Sequence, residues 1–537
     1  MKKQKMKRQS VLVGAMILAL SGIIAKVVGA LYKIPLTNIL GTNGMGLYYL
    51  IFPLYGLLLV LISSGVGLAV SKLVSSERHN HNKYNELKIF KVSLVFVFVI
   101  SLVFALVLVL FSTQISLLQG NINAKIGYWA IAPAICFASV IAVIRGFFQG
   151  QENMIPLLVN NVVEQIVKLV SGLLLANIFL YKGITFAVFG AILGVTISEF
   201  CSLLFIVIHY LIYKRQYVYK VEIPKTPNLT TVQALKKIVS YACPATLSAI
   251  ILPIIGFLDS FLIINILTKA GFSSLQATNL YGISNGIVNT LINLPVLVCG
   301  SLATAIVPNL SGIYAQNNEK EVVFKVSFFI KITWIVALPC FLVFLIYSPD
   351  IISILYSNGL SDLVIDEFTF AYKLLMLSSV TILYYAFLQT FTSILQSINK
   401  PVLPFISMFL GLIIRFFLIF TLVSNPEINI FGVTISNLAF LSVVCVVNVF
   451  FIKKYVNFNF NLYKILIAPV SAAIISGVVM YLIRLALINI NIWLYCIISA
   501  GLGLIAYVGL IVLFKSFNKA EMYVFKGRNI LNKGNNV

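Results

Sequence analysis

Fourteen stretches of this chain are each predominantly apolar over about 20 residues or more, the length a helix needs to cross the hydrocarbon core of a bilayer. The first six run 11–31, 45–70, 89–112, 127–147, 157–179 and 183–213. The next six run 240–267, 279–307, 324–348, 370–396, 402–423 and 429–452, and two more follow at 464–486 and 491–516. Inside lipid every backbone N–H and C=O must find its partner within the protein, so runs of this length are helices. With 60% hydrophobic and only 10% charged residues over 537 positions, no water-soluble core accounts for them. The sequence predicts an all-α polytopic membrane protein with 14 transmembrane helices.

A formal net charge of +23 is one mark of a nucleic-acid binder, but no basic face alternates with exposed aromatics, so nucleic-acid binding is excluded. The charge instead falls in the connections between apolar runs. With the N-terminus inside, about 28 of the 38 basic residues lie on inward segments, among them Lys72, Arg78, Arg145, Lys214, Arg215, Lys236 and Lys453. The outward connections hold Lys33, Lys125, Lys182, Lys269 and Lys373. This asymmetry places both termini of a multi-pass membrane protein in the cytoplasm. The basic start, Met1 to Arg8, lacks an A-x-A cleavage site and reads as the lead into a retained helix.

The halves of the chain echo each other. Gly29 followed by Asn38-Ile39-Leu40 returns as Gly256 followed by Asn265-Ile266-Leu267, with the same spacing. Lys168 stands 19 residues after Gln149, and Arg415 stands 19 after Gln396, each with proline between. The longest basic connection, Lys214 to Lys237, divides the two sets of six helices. Both sets start on the inner side, so the repeats are parallel, related by an axis along the membrane normal. The expected organisation is an N-lobe at 1–230, a C-lobe at 231–455, and helices 13 and 14 with a basic tail at 456–537. The first helices of the two lobes are expected to face each other. The first two runs are joined by a Gly41-Thr42-Asn43-Gly44 turn, and the second carries Ser63-Ser64-Gly65-Val66-Gly67, small residues that permit close helix approach.

No Walker A pattern, dinucleotide-binding glycine loop, zinc-protease motif or nucleophile elbow occurs, and no connection is long enough for an enzyme domain. The chain is therefore not read as an enzyme. Seven scattered cysteines form no C-x-x-C pair, and the three histidines give no metal set, so no metal and no cofactor are expected.

What stands out is charge inside lipid, costly unless it meets a partner or a cavity. Lys26, Glu164, Lys168, Glu199, Asp259 and Arg415 all lie within apolar runs. Lys26 precedes Gly29, Lys33 and Pro35, which loosen its helix and suit a cavity lining. Asp259 follows Pro244, Pro253 and Gly256, so a kinked helix would present it inward. Glu164 and Lys168, four apart, either neutralise one another or serve a site. Lys331 and Arg484 lie near run ends and read as snorkelling side chains. The acidic segment with Asp350, Asp362, Asp366 and Glu367 reads as a solvated outer turn. As repeat mates, Lys168 and Arg415 would give a cavity a cationic wall suited to an anionic cargo, arginine being matched to phosphate.

Two blocks carry a resemblance. S-G-I-I-A-K-V-V-G-A-L-Y-K-I-P-L-T-N-I-L-G with the following G-L-Y-Y-L-I-F-P-L-Y-G run, and R-G-F-F-Q-G-Q-E-N-M-I-P, resemble the stage V sporulation protein B and YtgP group of polysaccharide-biosynthesis proteins. That group falls in the multidrug/oligosaccharidyl-lipid/polysaccharide exporter superfamily, together with MurJ-type lipid II flippases. The resemblance implies two six-helix lobes around a central cavity, with helices 13 and 14 forming a groove for a polyprenyl tail. It implies alternating access that carries a polyprenyl-diphosphate-linked sugar, most readily lipid II for peptidoglycan, from inner to outer leaflet. Other lipid-linked polysaccharides (capsule, teichoic acid) and a cation-coupled multidrug antiporter are the alternatives. The expected cavity residues are Lys26, Lys33, Lys168, Asp259 and Arg415. Lys26 falls on a basic position of helix 1 in MurJ-type proteins, and Tyr32 stands where that helix has its next basic residue. Glu164, Glu199 and Asp259 are the expected ion-coupling carboxylates. The expected partners are a lipid II-like lipid-linked oligosaccharide, membrane lipids and cell-wall synthesis proteins, and the expected working unit is a monomer.

Overall fold

The computed structural model describes residues 11–80, 82–215, 229–316, 318–360, 366–456, 463–487, 489–514, 516–517 and 521. Among them the regular elements are all helical, and 13 helical runs are long and apolar enough to cross a membrane. The first of these, Val27–His79, has 53 residues. As straight helix it would reach about 80 Å, enough for two crossings. The chain is thus an all-α polytopic membrane protein with about fourteen crossings, and the described residues fall into two units.

The first unit takes Met1–Ile287 with Asn358–Ile365 and Val423–Ile430. Its helices are α1 (Val11–Leu59), α2 (Gly65–His79), α3 (Lys83–Leu110), α4 (Ser112–Leu118), α5 (Lys125–Gly150) and α6 (Ile155–Leu180). They continue as α7 (Ile184–Tyr213), α8 (Thr231–Ala249), α9 (Ile251–Lys269) and α10 (Ser274–Gly282). In place of the expected four-residue turn, α1 breaks at the single residue Gly41, with φ 64° and ψ −178°. That conformation is essentially glycine's alone, so one residue redirects the chain while helix resumes on both sides. Pro53, further along α1, cannot donate to the carbonyl of Tyr49. The hydroxyl of Tyr281 in α10 supplies that hydrogen bond instead, at 3.4 Å.

Small residues set the helix spacing. A Cβ on Gly194 of α7 would stand 2.5 Å from the backbone nitrogen of Gly172 in α6. One on Gly146 of α5 would collide with the Gly67 carbonyl of α2, and one on Gly65 with the Ala242 carbonyl of α8. The small-residue stretch around Gly65 therefore serves two neighbours at once. The run expected as one helix over 240–267 is two, because Pro253 cannot donate to Ala249 and the chain bends at Ile250. Beyond the bend α9 lies along α1, where a Cβ on Gly256 would be 3.6 Å from Pro53. Gln119 ties the two together, its amide reaching the Leu50 carbonyl at 2.9 Å and the Ser260 hydroxyl at 3.2 Å.

The second unit takes Val288–Ser357, Asp366–Leu422 and Phe431–Val537. It holds α11 (Asn289–Ala315), α12 (Glu319–Ile346), α13 (Ser348–Tyr356), α14 (Glu367–Ser397), α15 (Val402–Leu422), α16 (Phe431–Val456), α17 (Ala468–Ala486) and α18 (Ile492–Leu513). Leu310, Val326, Ile330, Ile394, Leu395 and Ile452 knit α11, α12, α14 and α16 into one core. A second cluster, with Leu338, Leu342, Ala472, Met480 and Tyr507, seats α17 and α18 on α12.

Two ion pairs fasten that C-terminal pair, and both correct the sequence reading. Lys331 is only 2% exposed, so it does not snorkel. Its ammonium meets both carboxylate oxygens of Glu521, at 2.6 and 2.8 Å, and the Ser516 carbonyl at 2.9 Å. Arg484 reaches Asp350 through Nε at 2.8 Å and Nη2 at 3.2 Å, and the Tyr495 hydroxyl donates to the same carboxylate. Asp350 is accordingly buried in α13 rather than solvated in a turn. Of the other acidic residues there, Glu367 is also buried, and Asp362 lies outside the described residues. Asp366 is the exposed N-cap of α14, and bonds from the Thr369 hydroxyl and backbone N–H hold its carboxyl below its ordinary range. All seven cysteines are free.

Replacing Lys331 with methionine strands a buried carboxylate and is expected to cost about 3–5 kcal/mol. The thermal midpoint in detergent should fall, and most of the loss should return in Lys331→Met/Glu521→Leu; equal losses in both would refute the pairing. Gly194→Val is expected to cost about 1–3 kcal/mol or more by forcing α6 and α7 apart, read in the same melt.

Candidate substrate site

Along α6, Asn160, Glu164 and Lys168 recur every four residues and therefore share one helix face. Around that face the first unit gathers its charges. Arg145 of α5 reaches Glu164 at 2.8 Å, with the two side chains 27% and 18% exposed. Gln165 donates to the other oxygen of Glu164 at 3.1 Å. With its amide oriented to satisfy both neighbours, Asn160 accepts from Arg145 Nε at 3.1 Å and Nη2 at 2.7 Å and donates to the Ser202 carbonyl at 2.7 Å. On α7, buried Glu199 accepts from the Tyr55 hydroxyl of α1 at 3.3 Å.

Lys168 is placed differently. Among the described residues no carboxylate stands within ion-pair distance of its ammonium. The nitrogen lies over two rings of α1, 5.8 Å from the centre of Tyr32 and 5.5 Å from that of Phe52. Gly172, one turn beyond Lys168, leaves room for Tyr32, since a Cβ there would be 2.6 Å from the tyrosine hydroxyl. Phe52 is itself backed by Tyr48, stacked at 4.2 Å. Lys33 lies over Tyr49 at 5.1 Å. Lys33, Glu164 and Glu199 all lie close enough to Lys168 to act on it through charge. The result is a half-buried ammonium held by π faces, each worth about 0.5–2 kcal/mol, with its hydrogen-bond donors unclaimed by any carboxylate.

Of the residues expected to line a cavity, Lys33 and Lys168 come together here. Glu164 and Glu199 join them, although Glu164 pairs with Arg145 and not with its helix neighbour Lys168. Asp259 is half-buried on α9 of the same unit. Arg415 is buried in α15 of the second unit. Lys168 and Arg415 each stand thirteen residues past the first residue of their helices, Ile155 and Val402. Lys26 lies in α1, and its side chain is outside those described.

The sequence reading missed Arg145, Asn160, Tyr32, Phe52 and Tyr55 as parts of one site. Arg145 was counted with the inward connections, yet α5 continues to Gly150 and holds it against Glu164. Asn160 had a legible signal, its place one turn before Glu164. Phe52 and Tyr55 had none, while Tyr32 was marked only by the resemblance, as standing at a basic position of helix 1.

Membrane-length helices that enclose a half-buried cation of this kind define a polytopic membrane protein with charge inside its spans. The polysaccharide biosynthesis protein family matches residues 11–314, more than half of the chain. Stage V sporulation protein B of Bacillus subtilis strain 168 is 25% identical over 435 residues, 80% of this chain and 81% of that one. The lipid II flippase MurJ of the same organism is 24% identical over 418 residues, 75% of each chain. A solved structure of lipid II flippase MurJ in an inward closed conformation superposes with a TM-score of 0.71 at 15% identity, covering 93% of this chain and 99% of that one. The chain belongs to the polysaccharide biosynthesis protein family.

Tyr55→Phe removes the donor to a buried carboxylate and is expected to cost about 1–3 kcal/mol. A thermal melt in detergent measures it, and an unchanged midpoint would mean that Glu199 does not depend on Tyr55.

Proposed function

We propose that the chain is a flippase for a polyprenyl-diphosphate-linked sugar precursor, lipid II first among them, moving it from the inner to the outer leaflet. The observation that carries this reading is Lys168, a half-buried ammonium with π contacts in place of a carboxylate, with Lys33 close by. A diphosphate brings the negative charge and oxygen acceptors that such a site lacks. Lys26 joins the proposed set of cations for the headgroup, and Arg415 of the second unit is a further proposed anion-binding residue. The relative named lipid II flippase supports the choice of lipid II. The family's description, polysaccharide biosynthesis, favours a second reading in which another lipid-linked glycan is the cargo.

In this reading alternating access involves the lobes at 1–230 and 231–455, and residues 456–537 carry the helices that accommodate the polyprenyl tail. The chain works as a monomer in a bacterial cell membrane, with both termini cytoplasmic and cell-wall synthesis proteins as neighbours. Glu164 is engaged by Arg145, so ion coupling falls to Glu199 and Asp259.

The test is the arrival of lipid II at the outer leaflet of vesicles carrying the intact chain, Lys168→Gln or Arg415→Gln. The intact chain is expected to move it, and each variant to be slower by about tenfold or more, the loss of one phosphate-binding charge. If a teichoic-acid precursor crosses and lipid II does not, the second reading replaces the first. Variants as fast as the intact chain would remove Lys168 and Arg415 from the site.

A further inference from the structure

We propose that Arg145 and Asn160 are positioning residues that keep Lys168 open to an anionic ligand by withholding Glu164 from it. The inference rests on the reading of Lys168 as the anion-binding residue.

A glutamate four residues before a lysine is the favourable helical order for an ion pair, so α6 alone would join Glu164 to Lys168. The structure shows that pair unmade. Arg145 holds Glu164 at 2.8 Å from the neighbouring helix, and Gln165 occupies the second oxygen. Arg145 is aimed there from behind. Asn160 accepts from its Nε and Nη2 at 3.1 and 2.7 Å and is fixed in turn by the Ser202 carbonyl at 2.7 Å. Asn160 and Ser202 are fully buried, so this chain of contacts is set by the packing of α5, α6 and α7. The other carboxylate within charge reach of Lys168 is Glu199, which accepts from Tyr55. With Glu164 taken by Arg145, the contacts of the Lys168 ammonium among the described residues are those with Tyr32 and Phe52.

Neutralising Arg145 therefore acts through Glu164, which is released to swing along its own helix onto Lys168. A bound diphosphate would then compete with a carboxylate tethered one turn away. Removing Glu164 as well should cancel that competition, a rescue that no purely structural role for Arg145 would give.

The experiment measures the Kd of undecaprenyl diphosphate for the full chain in nanodiscs, so it needs no translocation. Arg145→Gln is expected to weaken binding about tenfold or more, and Arg145→Gln/Glu164→Gln to return it to within about threefold of the intact chain, as coupled neighbours do. Glu164→Gln alone should bind at least as tightly as the intact chain. This single variant keeps the test decisive if Arg145→Gln does not fold. A loss in Arg145→Gln without rescue, or weaker binding in Glu164→Gln, overturns the positioning role. If Lys168→Gln loses binding while Arg145→Gln keeps it, Lys168 remains the anion site and only this inference falls. If Lys168→Gln binds as well as the intact chain, the site reading falls and takes the inference with it.

Discussion

Within the hydrocarbon of a bilayer a charge without a partner costs several kcal/mol, and this constraint orders the structure more than any apolar contact does. Three of its ion pairs cross between elements: Arg145 with Glu164, Lys331 with Glu521, and Asp350 with Arg484. Each joins segments that apolar packing alone would leave free to slide or rotate, because lipid tails are as apolar as the side chains and drive no association between helices. In the second unit, α17 and α18 are held to α12 and α13 by a cluster of leucine, alanine and tyrosine, and two of these pairs fix the register of that cluster.

Close backbone approach is what lets such pairs form. Arg145 meets Glu164 only because α5, α6 and α7 lie near one another, and α6 and α7 touch at Gly172 and Gly194. The same Gly172 admits the Tyr32 ring beside Lys168. One glycine thus sets both the helix spacing and the aromatic half of the site. A side chain there would move the cation's surroundings without touching the cation.

The membrane class was legible because a run of about 20 apolar residues has few other fates. The expected repeat has one matching feature, Lys168 and Arg415 standing at one position in their helices. Boundaries were less legible: Gly41 turns the chain by its own backbone where four residues were expected, and Pro253 splits a run that reads as continuous. Partner choice was the part that stayed hidden. Sequence spacing displays neighbours along one helix, so Glu164 pointed to Lys168, while Arg145, 19 residues earlier, carried no mark of being closer in space. Lys331 and Glu521 stand 190 residues apart, and Asp350 and Arg484 stand 134 apart, separations at which periodicity says nothing. Each misreading assigned a charge to water or to its own helix when a distant segment held it.

The two kinds of buried cation differ in a way that bears on transport. Lys331 has a carboxylate and a carbonyl on its ammonium, and breaking such a pair costs about 3–5 kcal/mol, enough to keep it closed. Lys168 has two rings, whose combined attraction is a small fraction of what an ammonium gains from water or phosphate oxygens. A carrier must hold its cargo and then release it, which a cation already neutralised by protein cannot do and a cation fully exposed to water does poorly. Aromatic faces lie between these limits, steadying the side chain while leaving its donors to be claimed and given back. By that measure Lys331 is a fastening, and Lys168 suits the proposed role of a residue whose partner changes.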